Sequence, residues 1–119
     1  GSEAATKMKE HAETTMERLR QERIREAAQR QEPLTDRERL LFVRGVGQRT
    51  VQLLEEQGYR SVEDILREDV DRLAIRTGLG IKKARSIRTG AQYFVDSEQK
   101  VLEQARAEAT KRASAKVEE

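Results

Sequence analysis

The large apolar side chains of this chain are concentrated in its middle. Of the 29 Val, Ile, Leu, Met, Phe and Tyr residues, 22 lie in residues 34–95, and the remaining 57 positions hold seven. A core must offset the conformational entropy of every residue that it orders, so the sparse flanks cannot form cores of their own. We therefore predict a small folded domain at 34–95, a charged N-terminal helical arm at 1–33 and a charged C-terminal helix or tail at 96–119.

Composition excludes several classes of protein. Without cysteine the chain can form neither a disulfide scaffold nor a cysteine zinc site. No run approaches the roughly 18 apolar residues of a membrane span, and no signal-peptide pattern opens the chain, so we expect a cytoplasmic protein without a membrane partner. The 24 basic and 22 acidic residues nearly cancel, so only the local distribution of charge is informative.

Both arms are rich in helix-forming residues and thinly apolar. In the N-terminal arm a helical stripe is formed by Met8, Ala12, Met16, Leu19 and Ala27. In the C-terminal arm the corresponding residues are Val101, Leu102, Ala105 and Ala109. Neither stripe sustains the heptads of a coiled coil, which leaves two interpretations of the arms: solvated helices, or helices that self-associate weakly.

The central region contains a repeat with a period of 33 residues. Gly45-Val46-Gly47 aligns with Gly78-Leu79-Gly80, and a helical pattern follows each of these Gly-apolar-Gly units. Leu54 aligns with Ile87 at the same offset. Since there are only two copies, an extended solenoid is excluded, and we expect two units that each bury half of one core.

Local signals predict that these units are built of short helices. The predicted N-caps are Thr35, in a capping box with Glu38, followed by Ser61 and Asp69. The last helix begins near Ile81 and can continue into the C-terminal arm, although Gly90 weakens it by about 1 kcal/mol relative to alanine. No segment alternates as a strand does, so we predict an all-α fold, a compact bundle of about five short helices with long charged helical arms at both ends.

A Gly-apolar-Gly turn between two helices is suited to holding an anion. Glycine tolerates a positive φ and has no Cβ, so a ligand can approach the backbone closely. The helix that follows leaves its first N–H groups unpaired, and its dipole favours negative charge there. A phosphate of a nucleic-acid backbone fits such a site without any base being read. The alternative is that the glycines only permit a tight turn beside a solvated basic face.

Charge distinguishes the two turns. Between Leu73 and Val95 there are five basic residues and no acidic one, whereas Glu55 and Glu56 follow the first turn closely. We therefore predict the stronger phosphate site at the second turn, where lysine side chains add point charges. The predicted phosphate-binding residues are Gly78, Gly80, Ile81, Lys82, Lys83 and Arg85 at the second turn, with Gly45, Gly47, Arg49 and Thr50 at the first.

Residues 43–51 (VRGVGQRTV) and 76–84 (RTGLGIKKA) resemble a tandem helix-hairpin-helix domain. That resemblance implies sequence-independent contact with DNA or RNA backbones, or protein binding where the hairpins have degenerated. Residues 53–65 (LLEEQGYRSVEDI) are similar to the C-terminal repeats of the NusA family of bacterial transcription termination/antitermination factors, and residues 86–94 (SIRTGAQYF) resemble the helix that ends such a repeat. This likeness implies association with RNA polymerase or its regulators. Both glycine pairs are intact here and the second hairpin is basic, which favours direct phosphate contact.

No feature of the sequence indicates an enzyme, and we expect neither cofactor nor metal. His11, the single histidine, lies in an arm, and the acidic residues Glu63, Asp64, Glu68, Asp69 and Asp71 stand at helix starts, where carboxylates cap. Three functions follow: a binding module of a transcription elongation/termination factor, a DNA-binding appendage of a repair or recombination protein, or a protein-interaction domain with dimerising arms. The expected partners are a nucleic-acid backbone, RNA polymerase subunits, or both.

Overall fold

A computed structural model describes the backbone of residues 2–30 and 32–118, with side chains described from residue 15 to 113 except residue 31. Six helices make up the described chain, and it contains no strand: α1 (Ser2–Arg30), α2 (Asp36–Leu41), α3 (Gln48–Glu56), α4 (Val62–Arg67), α5 (Val70–Thr77) and α6 (Ile81–Glu118). The predicted all-α fold is confirmed. Among the described residues no helix is long and apolar enough to cross a membrane. The side chain of His11 lies outside the described residues.

The chain divides into two compact units. The central unit is Leu34–Gln99, which extends four residues beyond the end of the apolar-rich region in the sequence. The arm unit combines Gly1–Pro33 with Lys100–Glu119, so the two sequence-distant arms belong together. Residues 81–99 of α6 belong to the central unit and the rest of that helix to the arm unit.

Side-chain caps start three of the short helices, as the sequence predicts. The Thr35 hydroxyl accepts a hydrogen bond from the Glu38 amide at 3.1 Å. Ser61 and Asp64 form a reciprocal capping box at α4. The Asp69 carboxylate accepts from the first amides of α5. These caps satisfy N–H groups that a short helix leaves unpaired, so the chain can turn sharply between helices.

The core of the central unit reproduces the repeat. Val51 and Leu54 of α3 are fully buried, and so are their counterparts in α6, Ala84 and Ile87. The other fully buried apolar side chains of the described central unit come from α2, α4, α5, α6 and the turn after α2: Leu40, Val43, Val62, Ile65, Leu73 and Ala91. Each repeat therefore contributes one half of a shared core.

An arginine missed by the sequence analysis ties three helices of the central unit together. Arg39 of α2 donates to both carboxylate oxygens of Glu98 in α6, at 3.0 and 2.8 Å, and pairs with Glu63 of α4 at 2.7 Å. Its guanidinium also lies 5.6 Å from the centre of the Phe94 ring. Burial alone would lower the pKa of Arg39, but its hydrogen bonds to the two carboxylates raise the pKa above the usual value. Hydrogen bonds from the guanidinium to two carboxylates offset the cost of partly burying its charge.

In the arm unit the buried side chains are Ile24, Ala27 and Val101. Arg25 donates to Gln104 at 3.5 Å, which links the two arms directly. Of the predicted N-terminal stripe, Ala27 is buried, whereas Met16 and Leu19 are both more than half exposed, as in a solvated helix; Ile24, which the stripe omits, is buried. Met8 and Ala12 lie outside the described side chains.

Gly90 lies where α6 makes a close contact with the backbone near the first turn, and is not simply a weak point of the helix. A Cβ atom at residue 90 would lie 3.1 Å from the backbone oxygen of Arg44 and 3.2 Å from a methyl carbon of Val43. Gly90 is buried, and Val43 is 1% exposed. The absence of a side chain therefore lets α6 pack directly on the backbone that leads into the first turn.

We predict that Gly90→Ala destabilises the protein, although alanine is the better helix former by about 1 kcal/mol. The added methyl overpacks a well-filled contact, which typically costs about 1–3 kcal/mol and leaves a net loss. Urea unfolding would measure the change. Thr89→Ala, an exposed neighbour in the same helix, is the control and should be neutral or slightly stabilising. A rise in stability for Gly90→Ala would contradict the packing argument.

Candidate nucleic-acid interface

The first turn joins α2 to α3. Gly45 adopts a left-handed conformation with φ of 85°. Val46 is 6% exposed, and its amide donates to the Val43 carbonyl at 3.1 Å, so the turn is anchored from within. Gly47 is the N-cap of α3, and no side chain caps that helix. The amides at the start of α3 thus remain available to a ligand.

The second turn joins α5 to α6. Gly78 and Gly80 both adopt left-handed conformations, with φ of 70° and 85°. The Gly78 amide closes α5 on the Ala74 carbonyl at 3.0 Å. The buried Thr77 hydroxyl donates to Leu73 and accepts from the Leu79 amide, which fixes the residue between the glycines. α6 then begins at Ile81, preceded by a glycine that has no side chain with which to cap it.

All four glycines of the two turns are exposed to solvent: Gly45, Gly47, Gly78 and Gly80. Their apolar partners point inward instead, Val46 being buried and Leu79 half-buried. Each turn therefore presents backbone outward and holds its side chain inward. This is the orientation that an anion site made of amides needs.

The two turns differ at their second glycine. Gly47 has φ of −105°, which any residue can adopt, and a Cβ there would meet nothing within 4 Å. Gly80 has φ of 85°, which L side chains rarely adopt. The backbone conformation at residue 80 of the second turn therefore requires glycine, whereas the conformation at residue 47 of the first turn does not.

The predicted basic residues divide into paired and unpaired groups. Within the described part of the chain, Arg49, Lys82 and Arg85 are exposed and have no hydrogen-bond or ion-pair partner. Arg49 and Lys82 occupy equivalent positions in the repeat, the second residue of the helix after each turn. Each helix start thus carries one unpaired cation beside its amides.

The other cations of residues 73–95 are held by the protein. Lys83 donates to the Gly45 carbonyl at 3.1 Å. Arg88 donates to the Leu66 carbonyl at 3.2 Å, and Arg76 lies 3.7 Å from Glu68. Within this region, the cations without a hydrogen-bond or ion-pair partner among the described residues are therefore Lys82 and Arg85.

The remaining predicted residues, Thr50 and Ile81, lie at the starts of α3 and α6. Thr50 is partly buried and Ile81 is 40% exposed. Ile75, which the sequence analysis did not single out, is 80% exposed one helical turn before the second turn. Ile75 and Ile81 are therefore exposed apolar side chains on either side of the second turn.

The acidic residues near the turns are engaged in local structure. Asp64 and Asp69 cap helices as predicted. Glu63 pairs with Arg39, and Glu68 accepts from the Tyr59 hydroxyl at 3.0 Å. Burial would raise the pKa of Glu63, but the hydrogen bond from Arg39, a backbone hydrogen bond and the charges of Arg39 and Arg67 together outweigh it, and that pKa lies below its usual value. These contacts account for four of the five acidic residues: Glu63, Asp64, Glu68 and Asp69.

Residues 37–92 match the model of a protein family described as SAM-like helix-hairpin-helix tandem, and the match covers just under half of the chain. Comparisons with curated proteins and with solved structures found no match. The matched region begins in α2 and ends in α6, so it contains both turns and the helices that flank them. Helix-hairpin-helix domains generally bind nucleic acids, typically through the backbone. This match and the strand-free helical structure of the described residues support a helix-hairpin-helix fold for residues 37–92.

Proposed function

We propose that the central unit is a non-enzymatic module that binds the phosphate backbone of nucleic acid without reading base sequence. The observation that carries the proposal is the second turn: two exposed left-handed glycines lead into the start of α6, and the glycine before that helix has no side chain to cap it. Lys82 and Arg85, which have no partner among the described residues, lie beside it. Backbone amides and point charges together favour a phosphate there. Contacts of this kind position a protein on nucleic acid and carry no base information.

The second turn is the stronger of the two sites. Arg85 adds a second cation one helical turn after Lys82, so two charges flank the first amides of α6. At the first turn the only unpaired cation is Arg49 among the described residues, and Glu55 and Glu56 follow in the same helix. Acidic side chains in that helix oppose a phosphate at its start, so the first turn contributes less to binding.

We further propose that this module belongs to a bacterial transcription elongation/termination factor and associates with RNA polymerase as well as nucleic acid. Support comes from the likeness of residues 53–65 to NusA-type repeats. Within this segment of the chain, the apolar residues Leu54, Tyr59, Val62 and Ile65 are all buried. The competing assignment is a DNA-binding module of a repair or recombination protein, favoured by the intact left-handed glycines of the second turn.

Titration of labelled duplex DNA and single-stranded RNA at two salt concentrations tests the shared function first. Backbone binding predicts affinity for at least one of them that falls clearly as salt rises, because bound cations displace condensed counterions. Preference for RNA would support the transcription assignment, and preference for duplex DNA the repair assignment. No binding at low salt would leave a protein-only module and refute the proposal.

We predict that Lys82→Gln combined with Arg85→Gln weakens nucleic-acid binding and makes it less sensitive to salt. Each lost phosphate contact should lower the slope of log K against log salt by about 0.9 for duplex DNA or about 0.7 for a single strand. Fluorescence anisotropy across a salt series measures both effects. Arg67→Gln removes one positive charge, from a guanidinium already paired with Asp64 at 2.6 Å, and should change neither quantity appreciably. Equal effects of the double variant and the control would show that the phosphate site does not lie at the start of α6.

Serine substitutions at the second glycine of each turn form a matched pair. Gly80→Ser should cost about 1–2 kcal/mol of stability, since it forces a side chain into the left-handed region, and it places a hydroxyl before the α6 amides. Gly47→Ser should be neutral within a few tenths of a kcal/mol, because serine is a good N-cap at an extended φ. Urea unfolding measures the change in stability, and titration with duplex DNA measures the change in binding. Should folded Gly80→Ser bind as tightly as the wild type, amide capture is the wrong mechanism.

A further inference from the structure

A lysine side chain joins the two turns of the domain. Lys83, in the first turn of α6, donates its Nζ to the carbonyl oxygen of Gly45 at 3.1 Å. Gly45 opens the first turn, and Lys83 lies three residues after Gly80, which ends the second turn. The equivalent residue of the first repeat is Thr50, which carries no charge, so this charge-assisted link comes from the second repeat alone.

We propose that Lys83 is a positioning residue: it holds the first turn against the start of α6, so that both turns grip one polyanion as a single two-point site. The inference rests on the function proposed above and refines it. The sequence interpretation treated Lys82 and Lys83 alike as phosphate ligands. Here the two adjacent lysines have different roles, because only Lys82 is without a partner in the described chain.

The need for such a link follows from the exposure of the first turn. Gly45 is exposed, and a Cβ atom added to it would meet only the Lys83 Nζ, at 3.5 Å, among the described residues beyond its chain neighbours. Exposed turns with few packing contacts open locally at low cost. An ammonium group on the Gly45 carbonyl gives this turn a charge-assisted hydrogen bond that its own residues do not supply.

The link also matters for affinity. Two weak anion sites strengthen each other only when their geometry allows one ligand to engage both at once. Gly90 already packs α6 on the backbone of residues 43–44, and Lys83 extends that contact to Gly45 at the turn itself. The ammonium additionally covers a carbonyl oxygen that would otherwise repel an approaching phosphate.

Hydrogen exchange of the free protein tests the link without any ligand. Lys83→Met should accelerate exchange of the amides of residues 46–50 several-fold, whereas Lys82→Met should leave them unchanged. Lys83→Arg keeps a charged donor and should restore most of the protection. Unchanged exchange in Lys83→Met would overturn the positioning role.

A double-mutant cycle on binding of labelled duplex DNA at low salt tests the two-point site. Lys83→Met should weaken binding by about tenfold in the wild-type background, since the contact at the first turn is lost from the two-point site. In an Arg49→Gln background, where the first turn is already impaired, the same change should cost much less. Lys82→Met is the control and should cost the same in both backgrounds.

The outcomes are distinct. Additive losses for Lys83→Met and Arg49→Gln would make Lys83 a direct phosphate ligand and refute the positioning role, while leaving the proposed function intact. Absence of wild-type binding to both duplex DNA and single-stranded RNA would refute the proposed function and the two-point site together, whatever the exchange data show.

Discussion

The central unit depends on one close approach, that of α6 to the backbone just before the first turn. Gly90 makes it possible, because any side chain there would strike Arg44 and Val43. With α6 in that place, Ala84 and Ile87 complete the core begun by Val51 and Leu54. The same placement brings Lys83 within reach of Gly45. A backbone contact therefore determines both how the two repeats share a core and how their turns are joined.

The two repeats keep a common plan but differ in the features that are proposed to bind anions. Both turns direct the residue between their glycines inward, Val46 being buried and Leu79 half-buried, and expose the glycines themselves. Only the second requires glycine at both positions, and only the second is followed by more than one unpaired cation among the described residues. Such an asymmetry is expected when one turn carries most of the electrostatic attraction and the other orients the ligand.

Features encoded locally could be predicted from the sequence, and features that depend on distant residues could not. The N-caps Thr35, Ser61 and Asp69 and the two turns follow from residues a few positions apart. The Arg39–Glu98 pair joins residues 59 positions apart. Because 39% of the residues are charged, the sequence does not indicate which acidic residue pairs with a given arginine.

The same distinction explains what the sequence does not reveal about single residues. Helix propensity describes Gly90 as a defect, because it takes no account of the backbone that packs against it. The arm stripe contains too few large apolar residues to specify its buried side, so Ile24 could replace Met16 and Leu19 there. Lys82 and Lys83 are identical in type and adjacent, and only the structure separates a solvated side chain from one that is held.

The central claim is that backbone amides at the start of α6 receive a phosphate. Amide chemical shifts of the full chain, followed during titration with duplex DNA or single-stranded RNA at low salt, test it at single-residue resolution. The account predicts the largest changes at residues 80–83, smaller changes at 47–50, and reversal of both by added salt. Binding that leaves residues 80–83 unperturbed and shifts the arms instead would contradict it.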